Sequence, residues 1–240
     1  MNASRTHLEL PFVIALDGPA GSGKSTVGLG VAQELGLGYF DTGLLYRVLT
    51  WLALAREVDL ADEGSLARLV DSFDIDVDPV GRVWRGGMDI TEQLQQPDID
   101  AAVSAVSARA GVRDAMRPAQ RALVRPPGLV MAGRDIGTVI VPEAPLKIWL
   151  SAGAEERARR RAAQTGEAYA TVLEALRRRD QFDASRTIAP MSRAEDAVEI
   201  ATDGVAPHGV IARIVELAQA RGARRPRPTI GPRQRHAKQG

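Results

Sequence analysis

The chain has 240 residues, 45% hydrophobic and 25% charged, the proportions of a globular protein with one principal core and a small appendage. It contains no cysteine, which excludes a disulfide scaffold, a thiolate metal site and a cysteine nucleophile. The formal net charge of +1 conceals an asymmetry, because residues 221–240 carry six arginines and one lysine with no acid, leaving the rest near −6.

The opening MNASRTHLELPF lacks the apolar centre of a signal sequence, and no apolar run approaches the ~20 residues that span a bilayer. A cytoplasmic protein without a membrane partner is expected. Leu10 to Asp17 is a short apolar strand running into a glycine cluster, and Val27 to Leu35 then shows apolar residues at helical spacing. Between them Gly18-Pro19-Ala20-Gly21-Ser22-Gly23-Lys24-Ser25 fits G-x-x-x-x-G-K-[ST], the P-loop, in the strand-loop-helix setting it requires. The glycines let backbone N–H groups turn inward around phosphates, and the helix adds its positive end. Lys24 is expected to reach the β- and γ-phosphates, and Ser25 to ligate Mg2+ mostly through the nucleotide and water. Nucleotide binding follows from this motif; the reaction does not.

A second strand, Gly38 to Asp41, ends at a Thr42-Gly43 turn, which places Arg47 one turn into the next helix. Residues 72–95 alternate with period two, with turn signals at Pro79 to Gly81 and Gly86 to Gly87, and predict a small antiparallel insert. Residues 101–124 and 154–179 are rich in Ala, Arg and Glu and predict helix. Leu129 to Ala132, Leu146 to Leu150 and Ala197 to Ala201 complete a set of apolar strands alternating with helices. That pattern predicts an α/β fold with a parallel sheet flanked by helices. Gly133-Arg134-Asp135 follows one of these strands, so its side chains project at the carboxyl edge where such sheets bind ligands. Arg179, Asp183 and Arg186 fall at i, i+4 and i+7, one helical face. Isolated arginines beside turns suit an acceptor carrying a phosphate monoester, since guanidinium forks bind its oxygens bidentately. The tail RGARRPRPTIGPRQRHAKQG has too little apolar surface to repay ordering and is expected to be disordered.

GPAGSGKST, DTGLLYR, GRDIGT and RDQFDASR, in that order and at these separations, resemble the bacterial cytidylate kinases over residues 12–218. The resemblance implies a P-loop fold with a kinase domain at 1–220: core 10–60, 125–155 and 190–218, monophosphate-binding insert about 61–124, and helical lid about 155–189. It implies ATP as donor, CMP or dCMP as acceptor, and a monomer. Carried across by motif, the stretch Gly18 to Thr26 holds the ATP phosphates, and Arg157 packs on adenine. Arg47, Arg134 and Arg186 lie at the acceptor phosphate, Arg179 and Asp183 hold its ribose, and Thr42 is a further substrate-binding residue. Ser104, Arg113 and Asp135 read the cytosine ring. Either Arg160 or Arg161 meets the transferring phosphoryl group; Arg161 joins Lys24, Arg47, Arg134 and Arg186 as an expected catalytic residue. Ala132 stands where the family usually carries an acidic residue before Gly133, so Asp41 or Asp17 is left as the carboxylate nearest the phosphates. Two rivals differ in kind: another P-loop kinase with a small acceptor such as thymidylate or shikimate, and a nucleotide-switched protein tethered to RNA by its basic tail. The ordered arginine motifs weigh against the switch, which needs no acceptor pocket.

Overall fold

The structure, a computed structural model, describes residues 11–78, 80–184 and 191–224. In chain order, β1 (Phe12–Asp17) leads through the phosphate loop to α1 (Lys24–Leu35), then β2 (Gly38–Asp41), α2 (Gly43–Ala55) and α3 (Glu63–Val70). Three short strands follow, β3 (Asp76–Val77), β4 (Val83–Arg85) and β5 (Met88–Asp89), then α4 (Pro97–Ser107) and α5 (Ala110–Arg121). The chain closes with β6 (Gly128–Gly133), β7 (Leu146–Ser151), α6 (Ala154–Thr165), α7 (Tyr169–Ala184), β8 (Val198–Ala201) and α8 (Pro207–Ala220).

The main sheet has the order β2-β6-β1-β7-β8, and every pairing is parallel. Its central strands read as unbroken apolar runs because both faces are covered. Val13, Ala15, Leu129 and Met131 pack toward α2, α3 and α5. Their alternating neighbours Ile14, Leu16, Val130 and Ala132 pack toward α1 and α8. α1 lies so close to the sheet that a Cβ on Gly28 would stand 2.6 Å from the Tyr39 ring. All five strands end on one edge, and the phosphate loop, Thr42, Arg134 and Thr202 each follow such an end.

The alternating segment forms a separate three-stranded antiparallel sheet, β3-β4-β5. Gly86 and Gly87, at φ 56 and 77, supply the two positive-φ positions of a tight hairpin turn. Val83, Ile90 and Leu94 seat this insert on Val48 and Leu52 of α2.

Each expected helical stretch is broken once. Extended Arg109, at ψ 131, separates α4 from α5, and Gly166, left-handed at φ 75, ends α6 before α7. The break in the lid makes a hairpin whose Ala158, Val172 and Leu176 close on Ala20 of the phosphate loop. α3, within the region read as insert, starts at Asp62, whose carboxylate accepts the Ser65 N–H at 3.0 Å. The tail beyond Arg224 and position 186 lie outside the described residues.

Candidate active site

The turn from β1 into α1 needs glycine for a specific reason. Gly18 sits at φ 151, and a Cβ there would lie 2.2 Å from the Leu150 carbonyl oxygen. Lys24, the first residue of α1, turns back so that its ammonium donates to the Gly18 and Pro19 carbonyls at 2.9 and 2.8 Å. Burial, with the charge of Arg134 behind it, drives its pKa well below the ordinary lysine value. Gly18 and Pro19 thus act through their carbonyls, while residues 20–26 line a cavity of about 830 Å³. Eight basic side chains line that cavity against four carboxylates, an excess that favours polyanions.

Beyond the loop, α2 and β6 bring in the arginines of the second half. Arg47 donates to the Leu94 carbonyl at 2.8 Å and to Asp100 at 2.5 Å. Arg134 donates to Asp183 of α7 and to the Gly133 carbonyl, both at 3.2 Å. Arg179, on the same helix, has its pKa lowered by burial and then by Arg134. Its Nε is buried with no hydrogen-bond partner among the described residues, the state of a donor built for an anion. Thr42 anchors the end of β2 by donating its hydroxyl to the Ala132 carbonyl at 3.0 Å. Deeper still, Arg113 and Asp135 form an ion pair with both side chains 6% exposed. Arg113 also stacks 5.6 Å from the centre of the Tyr46 ring and donates to the Ser107 carbonyl at 3.1 Å.

Two carboxylates near the phosphates have distinct tasks. Asp41 pairs in register with Ala132, lines the cavity and accepts the Gly43 N–H at 2.9 Å through one oxygen. Asp17 accepts the N–H groups of Ile136 and Gly137 at 2.9 and 2.8 Å, one on each oxygen, and unlike Asp41 it does not line the cavity. Burial pushes the Asp17 carboxyl up to about 6 from 3.8, against the opposing pull of those two amides. Its proton-linked stabilisation is therefore complete below pH 3.8 and lost as pH rises through about 6. The share of this one group is about 3 kcal/mol. The thermal midpoint of the ligand-free protein is expected to fall from pH 5 to 7, and Asp17→Asn to flatten that slope; an unchanged slope in the variant would place the titration elsewhere.

On the lid, Arg157 is 4% exposed and fully engaged, donating to the Ala152 and Ala20 carbonyls at 2.9 and 3.0 Å and to Asp180 at 3.2 and 2.6 Å. Arg160 donates to Glu156 and to Thr202 of the loop after β8, and Thr202 donates in turn to the Ser22 carbonyl at 3.3 Å. Arg161 lines the cavity, and its guanidinium has no hydrogen bond or ion pair among the described residues.

A model of the cytidylate kinase family matches residues 14–220. The chain is 46% identical over 219 residues to the cytidylate kinase of Herpetosiphon aurantiacus, covering 86% of this chain and 94% of that one. The chain belongs to the cytidylate kinase family. It is also 41% identical to the cytidylate kinase of Bacillus licheniformis, covering 88% of this chain and 97% of that one. A bifunctional pantoate ligase/cytidylate kinase of Acaryochloris marina is 42% identical, and there the match spans 87% of this chain but 42% of the longer protein.

Against the family pattern, the structure brings Arg47, Arg113, Arg134, Asp135, Arg179 and Asp183 to one cavity with the phosphate loop. Ser104 is the exception: it does not line the cavity, whereas Ser107, one turn further along α4, does. Its backbone carbonyl instead accepts the Ser107 hydroxyl at 3.2 Å. Arg186, expected at the acceptor phosphate, lies outside the described residues. Sequence reasoning missed Tyr46, Asp100, Asp180 and the wall formed by residues 204–207. For Asp180 the signal was present, as the acid inside RDQFDASR.

Proposed function

We propose that this chain transfers the γ-phosphoryl group of ATP to CMP or dCMP, giving ADP and the cytidine diphosphate. The observation that carries this reading is a single cavity with a phosphate loop at one end, Arg47, Arg134 and Arg179 beyond it, and the buried Arg113–Asp135 pair behind them. ATP occupies the loop through the backbone of residues 18–26 and through Lys24. Its base lies against the wall of Val205, Ala206 and Pro207, with Arg157 bracing the loop beneath rather than packing freely on adenine.

No group of three His, Asp or Glu side chains among the described residues could hold a metal ion by itself. A Mg2+ that takes most of its ligands from phosphates and water would suit such a site, with Ser25 as its protein ligand and Asp41, also on the cavity wall, holding its bound water. When bound, the ion neutralises charge on the phosphates.

The acceptor phosphate loses its second proton at a pKa of about 6, so its oxygen is a ready nucleophile at neutral pH and no general base is needed. That oxygen forms the new bond to the γ-phosphorus while the bond to ADP breaks, its electron pair leaving with ADP. Arg47, Arg134 and Arg186 screen the repulsion between the two anions, and Arg179 and Asp183 hold the ribose. Asp135 commits one oxygen to Arg113, and its other oxygen accepts from the exocyclic amino group of cytosine. A 4-keto pyrimidine would set two acceptors face to face in a dry pocket. Residues 1–220 act as one monomeric kinase domain in the cytoplasm, and the basic tail at 221–240 takes no part in transfer.

The test is ADP formation from Mg-ATP with CMP, dCMP, UMP, AMP, dTMP and no acceptor. CMP-dependent turnover is expected, with UMP at least about 100-fold poorer in kcat/KM; turnover indifferent to CMP would sink the assignment. The lid arginines separate in the same assay. Arg161→Ala is expected to lower kcat about 100-fold with both KM values nearly unchanged. Arg160→Ala, which frees Thr202, is expected to raise the KM for ATP and leave kcat within a few-fold. The reverse pattern would exchange their roles.

A further inference from the structure

Asp17 is buried at 5% exposure, lies outside the cavity wall and is used by no step above. Lys24 gives its hydrogen bonds to the Gly18 and Pro19 carbonyls instead. We propose that Asp17 is a positioning residue for phosphoryl transfer, holding the acceptor arginine at a fixed distance from the phosphate loop.

Asp17 is the last residue of β1 and is joined directly to Gly18, the first glycine of the loop. Its two oxygens take the N–H groups of Ile136 and Gly137, the residues straight after Arg134 and Asp135. Those amides open a wide turn closed by Ile140 N–H to the Asp135 carbonyl at 3.2 Å and Val141 N–H to the Ile136 carbonyl at 2.7 Å. Such a turn offers its first amides no internal acceptor. The β1–β6 pairing also stops at the pair Asp17 and Gly133, so beyond it the two loops are free to diverge unless something ties them. A carboxylate satisfies both amides at once. An amide or hydroxyl of similar size satisfies one and meets the other with its own hydrogen or with a gap. The site keeps this charge although burial disfavours it, which a filler residue would not require.

In-line transfer makes the spacing matter, since a displacement of about 1 Å between reacting groups costs roughly 100-fold in rate. The proposal rests on the reading of the cavity as a kinase site. It is tested with Asp17→Asn and Gly137→Ala. A Cβ on Gly137 would lie 3.4 Å from Asp17 Oδ2 and 3.1 and 3.3 Å from Cδ and Cγ of Lys147, so this variant nudges the turn while keeping the carboxylate.

Asp17→Asn is expected to lower kcat about 30-fold and raise the KM for CMP several-fold. ADP affinity by calorimetry should stay within about twofold of wild type, because the phosphate loop itself is intact. Gly137→Ala is expected to show the same split at about 3- to 10-fold. A kcat near wild type in both variants would overturn the proposal. So would a loss of ADP affinity in step with kcat, which is the mark of a merely structural carboxylate. Should Asp17→Asn not fold, Gly137→Ala decides by the same two readouts. Wild-type protein without CMP-dependent turnover would instead refute the functional reading, before either variant is compared.

Discussion

Replacing Lys24 with methionine is expected to lower kcat about 1,000-fold while leaving the fold intact. Among the described residues Lys24 is the cation that touches the loop carbonyls of both Gly18 and Pro19, so it is already in place where the β- and γ-phosphates arrive. Its ammonium is held in a buried site that disfavours charge, and the arriving phosphates relieve that penalty most as negative charge spreads in the transition state. Methionine fills the same volume without a buried charge, so the thermal midpoint is expected to hold or rise. Single-turnover measurements at saturating ATP and CMP separate this from a binding defect. A kcat within tenfold of wild type would remove Lys24 from the chemistry.

The second large effect is expected on the acceptor side. Arg134→Met should lower kcat/KM for CMP about 1,000-fold, or about 4 kcal/mol of transition-state stabilisation, with ATP binding little changed. Arg134 bridges the end of β6 and Asp183 of α7, so its loss removes a fork from the phosphate and loosens the lid over the ribose. Arg134→Lys should recover little, because an ammonium cannot reproduce the two-pronged geometry. Kinetics over a range of CMP at fixed Mg-ATP check both variants. Full rescue by lysine would reduce Arg134 to a point charge.

Much of this arrangement was legible from residue order. The phosphate loop, Arg47 one turn into a helix, Arg134 and Asp135 at a strand end, and Arg179 with Asp183 on one helical face all follow from local periodicity and turn chemistry. Parallel strands in a sheet covered on both faces then deliver those positions to one edge. What sequence could not resolve depends on contacts distant along the chain. Arg160 and Arg161 are adjacent, and they differ in their contacts: Arg160 pairs with Glu156 and reaches Thr202, 42 residues away, while the Arg161 guanidinium has no partner among the described residues. Ser104 and Ser107 share a helical face, and the angle at which α4 meets the cavity decides between them. For Asp17 the sequence shows a carboxylate next to the phosphate loop, but not the two amides 119 and 120 residues downstream that sit on its oxygens. The helix breaks at Arg109 and Gly166 were weak signals within stretches of high helical propensity.

The pairings of Arg47 with Asp100 and of Arg134 with Asp183 give the acceptor side of the cavity the character of an ion exchanger. At Arg47 and Arg134 an arriving monophosphate would meet guanidinium groups already paired, and would displace carboxylates that stay tethered at hand. Binding is then a near-balanced trade, milder and less salt-sensitive than eight basic residues alone would suggest. The same trade would run in reverse once the diphosphate has formed, with Asp100 and Asp183 competing for their arginines at high local concentration. A site charged strongly enough to hold two polyanions side by side would thereby be kept from being poisoned by the one it makes.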